Sequence, residues 1–236
     1  MKIGIMQPYL FPYIGYWQLI NLVDKFVILD DVNYIMRGFI NRNSILVNGK
    51  PYRFTIPIRK ASQNKLIMET KLSFSLQEKQ KLLKTFCNAY QNTPYFENVM
   101  PILENIILSK EEDLTQYIYK SLIDISEYLQ ISTEFYFSSR IQKNSNLCGE
   151  ERILEICKKL GGNEYINLSG GRKLYHQDSF VRENIKLYFL DTNMDKIVYD
   201  QNQDYFEKSL SIIDVLFFND IGTIKSFLRE CVMNPF

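Results

Sequence analysis

The sequence predicts an α/β fold, a Rossmann-like parallel sheet with an antiparallel hairpin and a helical insertion. Three observations point there. First, the apolar run Ile3 to Met6 leads through two prolines into helical spacing at Ile14, Trp17 and Ile20, and then into a second apolar run, FVILD, that ends in Asp30 and Asp31. Strand, turn, helix and strand within about 30 residues make a βαβ unit, with a right-handed crossover as the usual geometry. Second, Asn48-Gly49 lies between two apolar runs, the strongest short hairpin signal. Third, the chain from Ser75 to Leu129 reads almost wholly as helix.

Each element has a local reason. Pro8 and Pro12 forbid a helix between them and favour extended or turn geometry. The run from Lys25 to Asp31 is apolar throughout, as in a strand covered on both faces. Asn33 to Asn43 reads as a loop, Ser44 to Val47 and Tyr52 to Ile58 as the hairpin strands. Ser75 and Glu78 form a capping box, Pro94 closes the helix they start, and Pro101 opens the next, Ile102 to Leu108. Asp113 to Leu129 is a third helix and Glu134 to Ser138 a strand. Arg152 to Leu160 is a helix stopped by Gly161-Gly162. Tyr165 to Leu168 and Ile185 to Leu190 are further strands, and LSIIDVLFFNDIG and IKSFLREC late helices; the helical stripes at 80–130 and LSIIDVLFF read as core or homodimer contacts. No flexible linker divides the chain, so residues 1–236 are expected to form a single domain with a mostly helical insertion around 75–130.

Composition bounds the chemistry. A net charge of +1 makes no global case for nucleic acid or an acidic membrane. Four cysteines form no CxxC pair and have no histidine cluster beside them, so neither a zinc site nor a disulfide framework is expected. Reduced thiols, no apolar run of membrane-spanning length and no signal peptide predict a cytoplasmic protein without a membrane span. The 16 Tyr and 16 Phe read either as a ring-lined cleft or as a compositional bias shared with Ile, Lys and Asn.

Three stretches carry candidate chemistry. QPYLFPYIGYWQLI follows the first strand, where ligands of open α/β sheets sit. Gln7 offers an amide, Tyr9, Tyr13 and Tyr16 offer hydroxyls, and Gly15 lets a ligand approach free helix N–H groups. The same stretch is equally a stiff aromatic turn that packs the helix. In DDVNYIMRGFINRN, Asp30 and Asp31 are candidate bases, Arg37 and Arg42 grip phosphate, and Asn41 and Asn43 reach sugar hydroxyls. An ion pair that fastens the loop is the competing reading. In NLSGGRKLYH, Ser169, Gly170 and Gly171 can wrap N–H groups around an anion. His176 is the sole histidine, and imidazoles ordinarily exchange protons near neutral pH. Lys60, in the basic loop IRKASQNK, is a further phosphate candidate.

Tyr13-Ile14-Gly15-Tyr16 and the following DKFVILDD loosely resemble the strand–HxGH–helix opening of the nucleotidylyltransferase superfamily, without its histidines. A closer resemblance spans roughly residues 1 to 220. MQPYLFPYIGYWQLI, DKFVILDDVNYIMRGFINRN, KASQNKLI, ERILEICKKLG, YINLSGGRKLY and LSIIDVLFFN occur in the order seen in the WbqC-like family. That family is associated with bacterial surface-polysaccharide (O-antigen, lipopolysaccharide) gene clusters. The resemblance implies a transferase acting on a nucleotide-linked amino sugar, by N-acylation with an aminoacyl unit such as glycine. The sequence does not choose the acyl donor; an aminoacyl ester such as an aminoacyl-tRNA and an aminoacyl-adenylate are the two candidates. Two alternatives are an ATP- and Mg²⁺-dependent ligase or nucleotidylyltransferase, and a non-catalytic nucleotide-sugar binding protein.

Overall fold

A computed structural model describes residues 1–236. The first strand, β1 (Lys2–Met6), is buried over Ile3 to Ile5. Helix α1 (Ile14–Leu22) is buried over its first seven residues, which explains why its apolar pattern runs all round. It packs against β1 closely: a Cβ on Gly4 would meet Leu19 and Phe26 at 3.3–3.4 Å. Strand β2 (Lys25–Ile28) pairs parallel with β1, completing the βαβ unit. It stops short of the expected Asp31 because the Asp30 carboxylate leaves the ladder to bind Ser139 across the sheet edge.

The hairpin follows as β3 (Arg42–Val47) and β4 (Lys50–Thr55). Asn48 and Gly49 have φ of 51° and 69°, the two left-handed positions a type I′ turn requires. Then come α2 (Leu76–Tyr90), α3 (Phe96–Ile107) and α4 (Leu114–Leu129), the helical insertion. The capping box forms as expected: Glu78 N–H donates to Ser75 Oγ at 3.3 Å, and Ser75 N–H donates to Glu78 Oε2 at 2.8 Å. Pro101 does not open α3; the helix begins five residues earlier and continues through it. The missing N–H costs one bond, and the buried stripe Val99, Met100, Leu103, Ile106 and Ile107 holds the helix regardless.

Strand β5 (Glu134–Phe137), α5 (Gly149–Lys159), β6 (Glu164–Leu168), α6 (Gln177–Arg182) and β7 (Lys186–Thr192) complete the parallel part. After α7 (Ile212–Phe218) and α8 (Ile221–Phe227), the chain ends in β8 (Cys231–Pro235). The pattern IKSFLREC suggested helix to its end; α8 stops at Phe227, and Cys231 instead starts an antiparallel strand against β7.

The sheet order is β5-β2-β1-β6-β7-β8, with only β8 antiparallel. The chain therefore builds outward from β1 to β2 and β5, then crosses back to β6 and builds the other way. The reversal lies between β1 and β6, and ligands of such sheets sit there, beyond the carboxyl ends of the strands. One sheet face carries the larger core, with α1, the insertion helices, α7 and α8; the other carries α5 and α6. Buried Asp214 of α7 ties the larger core together, accepting hydrogen bonds from Tyr90, Tyr199 and Gln201 at 2.7–2.8 Å. No helix is long and apolar enough to cross a membrane.

Candidate functional site at the strand ends

The parallel register aligns Met6 with Ile28, Ile28 with Phe137, and Leu168 with Leu190. The segments that follow these residues share one edge of the sheet. They include the aromatic turn, the Asp-Asp segment, the Ser-Gly-Gly turn and the end of β7.

The aromatic turn is strained and clamped. Phe11 is fully buried with φ of 44°, a left-handed conformation that a bulky side chain rarely adopts. Its carbonyl accepts from Asn43 Nδ2 and from Ser211 Oγ, each at 2.7 Å, and Asn43 Nδ2 also donates to the Leu10 carbonyl at 3.0 Å. Trp17 Nε1 and the Ile212 N–H both donate to the Pro12 carbonyl. Strain held this firmly keeps the turn in one shape. Asn43 thus has a structural task, and Asn41 has one too: it accepts from the Tyr34 hydroxyl and donates to the Ile56 carbonyl, at 2.7 Å each. Both amides are buried and engaged within the chain.

Gly15 is buried, and its open side is filled by the protein. An added Cβ would lie 2.5 Å from both Thr192 Oγ1 and Tyr13 Cε2. The close approach expected of a ligand is made here by β7. Tyr16 is buried and donates to the Gln7 carbonyl at 2.8 Å. Tyr9 and Tyr13 are half-buried, Tyr9 lying 5.6 Å from the Tyr16 ring and 6.1 Å from the exposed Phe39 ring. Burial pushes the hydroxyls of all three tyrosines above their ordinary range, so they serve as neutral donors and acceptors. Gln7 is half-buried beside them, and its side-chain amide has no hydrogen-bond partner within the chain.

Asp30 is buried and accepts from the Ser139 N–H at 2.9 Å and the Ser139 hydroxyl at 2.6 Å. Asp31 lies 2.7 Å from Lys143 Nζ and 3.6 Å from Arg152 Nη1, all three side chains being at least 85% buried. Burial alone would raise the Asp31 carboxyl; the hydrogen bond from Lys143 and the charges of Lys143 and Arg152 outweigh it and hold it below its ordinary value. Arg152 also donates to the Asp31 and Leu147 carbonyls. The competing sequence reading, an ion pair that fastens the loop, matches this geometry. Its cations come from residues 143 and 152, however, not from the adjacent Arg37 and Arg42.

Arg42 is half-buried and spends one N–H on the Gly38 carbonyl at 2.8 Å, with no carboxylate partner for its other nitrogens. Arg37 and Lys60 are exposed, with left-handed φ of 62° and 46°. After β6, Ser169 to Leu174 form a 3₁₀ turn. Gly170 faces open space, and Gly171 abuts the Asn167 side chain. His176 is exposed, with Nδ1 3.5 Å from Glu150 Oε2, which also accepts the His176 backbone N–H. Helix α5 runs from the end of β5 back to the start of β6, so its first turn, carrying Glu150, stands at the same sheet edge.

Glu150, Lys143, Arg152 and Thr192 escaped the sequence reading. Nothing local links 150 with 176 or 31 with 143; only the closed fold does. No group of three His, Cys, Asp or Glu side chains is placed to hold a metal ion. A cavity of about 450 Å³ lies elsewhere, between α6 and the β7–β8 pair, and is lined by Phe180, Val181, Leu187 and Phe236 among others.

The chain is 27% identical over 238 residues to "Uncharacterized protein Rv1507c" of Mycobacterium tuberculosis (strain ATCC 25618 / H37Rv), a match covering 98% of each chain. No solved structure matches it. The model of the WbqC-like protein family matches residues 7–226, a span that takes in both the aromatic turn and the Ser-Gly-Gly turn, and the chain therefore belongs to the WbqC-like protein family.

Proposed function

We propose that the protein is a transferase that N-acylates a nucleotide-linked amino sugar with an aminoacyl unit such as glycine, in the assembly of a surface polysaccharide. The observation that carries the reading is the pairing, across the β1/β6 reversal, of a clamped turn bearing unpartnered Gln7 with an open Ser-Gly-Gly turn. Family membership supports a biosynthetic role of this kind.

In this reading the free guanidinium nitrogens of Arg42, with Arg37 and Lys60, neutralise the diphosphate. Ser169 and the N–H groups of Gly170 and Gly171 assist them. Gln7, Tyr9 and Tyr13 hydrogen-bond the hexose. Asn41 and Asn43 act indirectly, by holding the loop and the turn, and Asp30 and Asp31 fix the end of β2. The sugar amine attacks the acyl carbonyl carbon of an aminoacyl ester or adenylate. The C–N bond forms, the C–O bond to the donor breaks, the His176 imidazole takes the amine proton, and the departing oxygen is protonated in turn. Glu150 orients the imidazole through Nδ1, leaving Nε2 for the proton.

A thermal-shift screen of UDP-, dTDP- and GDP-linked amino sugars, with ATP alongside, tests the binding half. One nucleotide sugar is expected to stabilise the protein and, given a glycyl donor, to gain the mass of one glycyl unit. Arg42→Ala is expected to weaken that binding by about 1–3 kcal/mol. A shift with ATP alone would favour a ligase, and tight sugar binding without mass gain from any donor would favour a binding protein. Full turnover in His176→Gln would remove His176 as the base.

A further inference from the structure

The charges of this chain are segregated in a way its net charge conceals. Residues 32–68 hold seven of the 28 Lys and Arg and none of the 27 Asp and Glu. The other 199 residues therefore carry 21 cations against all 27 acids, a net −6 beside a lobe of +7.

The fold gathers this segment into one body. Asn41 and Ile56 exchange hydrogen bonds, Tyr34 N–H donates to the Lys65 carbonyl, and the hairpin joins residues 42–55. Facing pairs of the ladder put Arg42 with Thr55 and Arg53 with Ser44 on one side. The pairs carrying buried Asn43, Phe54 and Ile45 lie on the other. Only Arg59 is paired, to Glu112; Arg37, Arg42, Lys50, Arg53, Lys60 and Lys65 have no carboxylate within 4 Å. The acids bordering the lobe are occupied or lie at its tip. Glu69 accepts the Leu66 N–H and Asp113 pairs with Lys71. Asp204 and Glu207 flank Tyr205, whose hydroxyl reaches the Gly49 carbonyl. Phe39, in the same loop as Arg37, is 56% exposed, a large ring left in water; Tyr52, 45% exposed, faces Ile45 and lies on the other side of the ladder from Arg42 and Arg53.

We infer that this lobe is a docking surface for RNA. Six unneutralised cations suit a phosphodiester backbone, and the exposed Phe39 ring close to Arg37 suits stacking of an unpaired base. An anionic lipid surface would be met by an amphipathic helix, and the lobe's regular structure is a hairpin. The inference rests on the proposed transfer only in naming the cargo: an aminoacylated RNA bound here would carry its acyl ester toward the strand-end crevice, because Arg37 and Arg42 belong to both surfaces.

The test is fluorescence polarisation of the full chain with a labelled uncharged tRNA and a labelled single-stranded RNA, across a salt series. Binding is expected to weaken steeply with salt. Arg53→Ala and Lys65→Ala, neither in the proposed sugar site, are each expected to lower the log–log salt slope by about 0.7 to 0.9. Lys84→Ala and Lys186→Ala, exposed cations outside the lobe, are expected to leave it unchanged. Absence of RNA binding at low salt, or equal loss in all four variants, overturns the inference, as does tighter binding to phosphatidylglycerol vesicles than to either RNA. The nucleotide-sugar thermal shift of Arg53→Ala and Lys65→Ala, expected to match that of the unmutated protein, tells failure of the RNA surface from failure of the sugar site.

Discussion

Two neighbouring stretches of one sheet edge contrast sharply. At the ends of β2 and β5, both carboxylates are engaged from within: Asp30 by Ser139, Asp31 by the charges of Lys143 and Arg152. At the ends of β1 and β6, the backbone is held just as firmly, but the Gln7 amide has no partner and Gly170 faces open space. Acidic residues at strand ends draw the eye as catalysts, yet these two close the molecule. The stretch that keeps its polar groups unspent sits at the topological reversal, where a ligand has room to use them.

Substitutions separate the two stretches by size and kind of effect. Asp31→Ala leaves Lys143 buried without its counter-charge and is expected to cost about 3–5 kcal/mol in urea unfolding, with ligand affinity intact in the folded fraction. Asn43→Ala strands the Leu10 carbonyl, leaves the Phe11 carbonyl to Ser211 alone and loosens the left-handed Phe11. It is expected to cost about 1–3 kcal/mol of stability and, unlike Asp31→Ala, to weaken nucleotide-sugar binding. Gln7→Ala is expected to leave stability within about 0.5 kcal/mol and to lower affinity by about 0.5–1.5 kcal/mol by calorimetry. Loss of stability without loss of affinity at Gln7 would reverse the comparison.

The smallest effect is in pH. The folded-state pKa of Asp31 lies below its ordinary 3.8, so the stability it contributes is present above that value and lost as pH falls through the lowered one. The melting-temperature gap between the unmutated protein and Asp31→Asn is therefore expected to shrink on acidification below about pH 4. A constant gap would mean that packing rather than charge holds this corner.

What was legible in the sequence was local. Apolar runs, the Ser75–Glu78 box and Asn48-Gly49 each act over a few residues, and each appears in the structure. Strand β8 was hidden because REC at the end of a helical pattern carries no signal that β7 lies waiting to pair. The roles of Asn41 and Asn43 were hidden for a related reason. A buried amide and a ligand-binding amide look alike until the carbonyls of Leu10, Phe11 and Ile56 arrive from other segments. The alignment of the aromatic and Ser-Gly-Gly turns depends on β1 and β6 becoming neighbours across more than 150 residues, which the βαβ logic of the first 30 residues anticipates only in outline.

Backbone hydrogen exchange, with and without the nucleotide sugar that stabilises the protein best, tests the central claim most directly. Added protection is expected at residues 7–16, 37–42 and 169–173. Protection confined instead to residues 177–188 and 235–236, around the cavity between α6 and β8, would contradict a site at the β1/β6 reversal.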